Sequence, residues 1–254
     1  MTTSTALATG KLGKLSVRTD VRTLRLRTYV DPAALPTPPD RIDVTANVGE
    51  WPMYANDTRG DCTTAAAAHM IEAWTAAAAG AAVEVSEEAV VRAFDAVRLT
   101  DPLTGEEGAI ELDVLRYWRK RGLGGHRIGA FAAVSAHDRE LTRTAAWLFG
   151  GLYIGLSLPL TAQTQQVWDW TGSLSGEAKP GSWGGHAVDV VALDDAGLTV
   201  VTWGRLQVLT WSFWDRYCDE SYCILSTDFL RDGRAPNGFD LAALKHDLEL
   251  ITAP

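Results

Sequence analysis

Two residues with reactive side chains stand where chemistry could use them. Cys62 closes the run Asn56-Asp57-Thr58-Arg59-Gly60-Asp61-Cys62, just before an alanine-rich, helix-forming stretch. His186 follows Gly184-Gly185 and opens a β-branched run. A thiol becomes a nucleophile when its pKa is lowered and a base accepts its proton. A helix N-terminus does the first, because its macrodipole favours thiolate, and an imidazole does the second. Gly60 lets the chain turn tightly into the helix. The Cys62 N–H and the Asn56 side-chain amide are candidate donors to an oxyanion. The chemistry expected of such a set is acyl transfer through a thioester.

A third residue should orient the imidazole. Asp189 is an odd step from His186 and faces the other way on a regular strand. Trp183, Gly184 and Gly185 flank the histidine and, with Trp203, are the expected substrate-binding positions. Trp168 and Trp170 fall in the same loop and are candidates to line a cleft. The spacing of Trp203, Trp211 and Trp214 also suits packing. His69 lies two turns along the Cys62 helix, a packing or surface position. Cys218 and Cys223 form no Cys-x-x-Cys pair and read as small buried hydrophobes, so neither a metal nor another cofactor is expected.

These residues need elements to hold them. Helices are expected at Asp61–Ala79, with a core stripe at Met70, Trp74 and Ala78, at Glu87–Val97 capped by Ser86, at Ile110–Arg121 and at His137–Phe149. Strands are expected at Leu152–Leu158, His186–Leu193, Leu198–Trp203 and Tyr222–Ser226, with a short helix at Thr210–Glu220. Residues 1–10 read as disordered. Residues 11–30 alternate and read as one or two edge strands, with Lys11, Lys14 and four arginines on a solvated face. Pro32, Pro36, Pro38 and Pro39 imply an extended connector. The organisation expected is an N-terminal arm and connector over 11–45, a helical lobe over 46–150, a β lobe over 151–235 and a tail over 236–254. Helices before strands argue an α+β fold with a site at the seam.

The 254-residue chain is 46% hydrophobic and carries a net charge of −9, a poor match to nucleic-acid or membrane-surface binding. No apolar run reaches the ~18 residues of a membrane span. Few cysteines and no signal-like leader suggest a cytoplasmic setting. Oligomeric state is not encoded legibly.

The motifs in chain order resemble the papain family over about 45–226. Asn56-x-x-x-Gly60-Asp61-Cys62 resembles its nucleophile motif, where a glutamine replaces Asn56. Gly184-Gly185-His186-Ala187-Val188 resembles its histidine motif, and Val201-Thr202-Trp203-Gly204 its Asn-x-Trp-Gly segment without the asparagine. Aligned on Trp-Gly, the resemblance puts Val201 at the orienting position; aligned on the family's spacing from His186, it puts Thr202 there. Valine cannot orient an imidazole, whereas a threonine hydroxyl can bond one ring nitrogen. The chain also looks like papain-fold proteins of actinobacteria and their phages. The resemblance implies a papain-like fold, a helical lobe carrying the cysteine and an antiparallel β lobe carrying the histidine. It implies a cysteine hydrolase cleaving a peptide or isopeptide bond, with a peptide or protein as partner. Two alternatives stand beside it: a weak or inactive papain-fold binding or structural protein, and a thiol-dependent acyltransferase or amidase on a small molecule.

Overall fold

A computed structural model describes residues 10–29, 37–100, 102, 105–230 and 235. Its elements, in order, are β1 (Leu24–Arg25), α1 (Leu26–Tyr29), β2 (Ile42–Asp43), α2 (Cys62–Ala79), α3 (Glu87–Val97), β3 (Leu99–Thr100), β4 (Glu107–Gly108) and α4 (Glu111–Arg121). There follow β5 (Ile128–Ala133), α5 (Arg139–Phe149), β6 (Leu152–Leu158), β7 (Val167–Trp168), β8 (Gly184–Leu193), β9 (Gly197–Thr202), β10 (Arg205–Thr210), α6 (Trp211–Tyr217) and β11 (Cys218–Ser226). One sheet runs β1-β5-β11-β6-β8-β9-β10-β7, with β2 on β8, and most of its pairings are antiparallel. This is a papain-like α+β arrangement: α2 to α4 lie on one side of the seam and the sheet on the other.

Local chemistry sets the helix ends. Ser86 Oγ accepts the Ala89 N–H at 3.3 Å, Asp138 accepts Leu141 N–H at 3.0 Å, and Thr210 accepts Phe213 N–H at 3.1 Å. Each removes one unpaired first-turn donor. Gly80, at φ 79°, closes α2 in the left-handed region with its N–H on Ala76 O. Asp61 precedes α2 without a side-chain cap bond, so its carboxylate does not satisfy the helix start.

Helix α2 is buried on nearly every side rather than along one stripe. It packs on β8, α3 and α4 together, which is why alanine dominates it: small side chains let several elements approach one helix. Trp74 fills the largest gap. It stacks on Trp118 at 5.7 Å and donates its indole N–H to Phe149 O at 2.9 Å. Tyr153 on β6 ties its hydroxyl to Thr63 O at 2.9 Å, pinning the first turn of α2 to the sheet.

Several expectations are corrected. Residues 11–23 form no edge strand; Lys14 makes a single bridge to Ala109, and only Leu24–Arg25 joins the sheet. Lys14 is buried, not on a solvated face. The helix expected to reach Glu220 ends at Tyr217, and β11 starts at Cys218, because Cys218–Ser226 pairs with β6 and β5 on both edges. Trp168 is core, between Trp203 and Phe213, rather than a cleft residue. Residues 1–9, Pro32, Pro36 and the tail over 236–254 lie outside the described residues.

Candidate active site

Cys62 is the first residue of α2, at the face where that helix meets β8. The Ala187 N–H of β8 donates to Cys62 Sγ at 3.5 Å. His186, one residue earlier on β8, pairs across the sheet with Leu156. Cys62, His186, Asn56, Thr202 and Trp203 line one small cavity, together with Met53 and His69.

Between the two ordering positions, the structure selects Thr202. Its Oγ1 lies 2.7 Å from His186 Nε2, whereas Val201 packs in an apolar cluster with Ala73 and Val191. Among the described residues, His186 Nδ1 has no hydrogen-bond partner. Trp203 stacks on the imidazole at 4.6 Å and 24°, and Trp183 leans on Trp203 at 5.4 Å. Trp203 takes φ 47° at the β9–β10 turn before Gly204 at φ 69°. A tryptophan in that region is strained by ~1–3 kcal/mol, which the packing around it must offset.

His69 is buried in the same cavity. Its Nε2 bonds Pro52 O at 2.8 Å, and its Nδ1 is 3.8 Å from Asp189. Burial pushes His69 down to about 4 and holds the Asp189 carboxyl well above its ordinary range. Asp189 thus faces His69 rather than His186, and among the described residues its carboxyl makes no side-chain hydrogen bond to either ring.

The groove over Cys62 is filled by the chain itself. Residues Gly10–Leu15 cross it, a feature that sequence reasoning missed. Gly13 N–H and Lys14 N–H both reach Gly185 O, at 3.3 and 3.1 Å. On the opposite wall, Leu15 N–H donates to Ala109 O at 2.9 Å, and Ala109 N–H donates to Gly13 O at 2.8 Å, a parallel bridge. Asn56 Nδ2 donates to the Lys11 carbonyl at 3.2 Å and to Arg59 O at 3.2 Å, and the Trp203 indole adds 3.3 Å to the same Lys11 oxygen. A Cβ on Gly13 would lie 1.8 Å from Gly60 O, so two glycines are needed where the strands meet. The signal was present in the sequence: Gly-Lys-Leu occurs twice in succession, at 10–12 and 13–15.

Filling the groove sets the electrostatics. Burial pushes the Cys62 thiol up to about 12, against the pull of the Ala187 and Gly13 N–H groups. Burial likewise pushes His186 down to about 3. Thiol and imidazole are thus both neutral while the segment is in place. Asp61, fully buried beside them, is raised by burial to about 7.

No family model matches the chain, and no curated protein matches it. Solved structures do. Xylellain, a cysteine protease from Xylella fastidiosa, is 14% identical with a TM-score of 0.61 over 87% of this chain and 97% of its own. The fold is that of papain-like cysteine proteases. A procathepsin B from Trypanosoma congolense is 11% identical with a TM-score of 0.57, over 85% of this chain and 86% of its own. The ragweed pollen cysteine protease Amb a 11, in its proform, is 18% identical with a TM-score of 0.54 over 77% of this chain and 69% of its own.

Proposed function

We propose that this papain-like chain is a cysteine peptidase that cleaves an amide bond in a peptide or protein, held in a latent form. One observation carries this reading. A stretch of polypeptide already lies across Cys62, bound main chain to main chain on both groove walls, at Gly185 and Ala109. A groove so built can hold a peptide by its main chain.

In the proposed reaction, a substrate replaces Gly10–Leu15. His186 Nδ1 takes the Cys62 thiol proton, Nε2–H donating to Thr202, and Sγ attacks the carbonyl carbon. The Cys62 N–H and Asn56 Nδ2 stabilise the oxyanion. The C–N bond then breaks, and His186 returns its proton to the departing amine. Water adds to the thioester with His186 as base, releasing the acid and the free thiol.

The test uses the full chain with Gly13→Val, because no Cβ fits at that position while the segment lies in the groove. A peptidyl chloromethyl ketone should label Cys62 faster than Cys218 and Cys223, and His186→Ala should slow it. The same variant should hydrolyse a peptide library, with Cys62→Ala silent. Equal labelling of the three cysteines would sink the reading. Thr202 in place of an amide favours a second reading, a papain-fold binding protein, which predicts peptide binding without any product.

A further inference from the structure

Lys14 is the one residue of the covering segment whose charged end is buried, and its surroundings are built for it. Its ammonium lies 2.9 Å from Asp219 Oδ1 and 3.1 Å from Glu220 Oε1, and 3.4 Å from the Leu15 carbonyl. Ser157 Oγ donates to Asp219 at 2.7 Å, and Tyr222 OH donates to Glu220 at 2.8 Å, so both carboxylates are held in place by other side chains. Glu111, the first residue of α4, is fully buried, and among the described residues neither of its carboxyl oxygens has a hydrogen-bond partner. Burial holds the Glu111 carboxyl well above its ordinary range, and Lys14 pulls it back down. Burial alone would lower the ammonium, yet the acidic groups of Glu111, Glu220 and Asp219 around it carry it above the ordinary lysine value.

The walls match the stem as well as the charge. A Cβ on Gly155 would lie 2.0 Å from Lys14 Cε. Glycine at the middle of an otherwise bulky, buried strand leaves a slot the width of an alkyl chain. The pocket opens one residue from the thiol, because Gly13 precedes Lys14 and its N–H lies against Cys62.

From these contacts we propose that the slot between Gly155, Glu220, Asp219 and Glu111 is a side-chain pocket selecting lysine or arginine in the substrate, and that Lys14 is its built-in occupant. The proposal rests on the peptidase reading and adds the substrate class: peptides with a basic residue next to the one at the thiol. Glu220 is buried while Asp219 sits at the exposed end of the slot. A buried carboxylate that loses its cation is left uncompensated, so a neutral side chain beside Glu220 is disfavoured.

The experiment measures Cys62 labelling in the full-length Gly13→Val variant, and in Gly13→Val/Lys14→Ala, which removes the competing lysine. Dipeptidyl chloromethyl ketones with glycine next to the reactive group carry Lys, Arg, norleucine or Glu at the second residue. Lys and Arg probes are expected to label at least ten-fold faster than norleucine, and Glu slowest. Adding Glu220→Gln or Asp219→Asn should shrink the Lys/norleucine ratio towards one. Labelling of Cys62 at equal rates by all four probes would overturn the pocket and leave the peptidase reading standing, with Lys14 only an anchor for the segment. Failure of every probe to single out Cys62 would overturn both.

Discussion

The Thr202 hydroxyl sits 2.7 Å from His186 Nε2, inside a small cavity that Cys62 also lines. The contact stands where the resemblance places an orienting amide. In the reaction proposed above the hydroxyl accepts from Nε2–H, which leaves the Nδ1 lone pair for the thiol proton. Thr202→Val keeps the shape and deletes the partner, leaving a buried donor unpaired at a cost of ~1–3 kcal/mol. We predict that Cys62 labelling in the Gly13→Val background falls about 10- to 100-fold, as for other orienting partners, and that Thr202→Ser restores most of it. An unchanged rate with Thr202→Val would show that the hydroxyl does not position the ring.

Asn56 donates to a carbonyl in the groove, that of Lys11. If it serves a substrate oxyanion in the same way, Asn56→Ala lowers kcat about 10²–10³-fold with a much smaller change in KM. Steady-state kinetics on a peptide released from the library would decide it. A rise in KM alone would assign Asn56 to holding the segment.

The filled groove keeps the thiol at about 12 and the imidazole at about 3 by burial. Alkylation of Cys62 in the unaltered chain should therefore keep rising with pH beyond 10, without a plateau. In Gly13→Val, where water enters, the plateau should move several pH units lower. Stopped-flow iodoacetamide profiles of the two proteins check this. Superimposable profiles would contradict control by the segment.

Glu72, buried against Tyr54 OH at 2.5 Å, is raised by burial from 4.5 to about 7. The folded state thus holds a proton that the unfolded state has already released between those values. The group's contribution is complete below pH 4.5 and is lost as pH rises through about 7. Glu72→Gln cannot titrate, so its stability relative to the unaltered chain should improve by ~1–3 kcal/mol between pH 5 and pH 8. Urea unfolding at the two pH values measures the change. A pH-independent difference would contradict the proton uptake.

Much of the scaffold was readable from local patterns. Glu87–Val97 and Leu152–Leu158 were expected at the bounds they have, because a capping serine and a Gly pair punctuate them. The positions of Cys62 at a helix start and His186 at a strand start followed from Gly60 and Gly184-Gly185. By contrast, β5 and β10 went unread. Ile128–Ala133 is a weakly alternating run stabilised by β11 and β1 on its two edges, and only pairing across nearly a hundred residues makes it a strand.

The sequence by itself determined the residues able to do chemistry and the order of the elements carrying them, because caps, glycines and hydrophobic period act over a few residues. Side-chain chemistry already ruled out Val201 as a partner for His186, but only the tertiary structure brings the Thr202 hydroxyl to Nε2 while Val201 packs against Ala73 and Val191. It also decided the fate of Lys14. The alternation around Lys14 suits a solvated strand, but Asp219, Glu220 and Glu111 come to it from elements about a hundred or two hundred residues away. Burial of that charge, and with it the closing of the groove over Cys62, exists only once those elements are folded together.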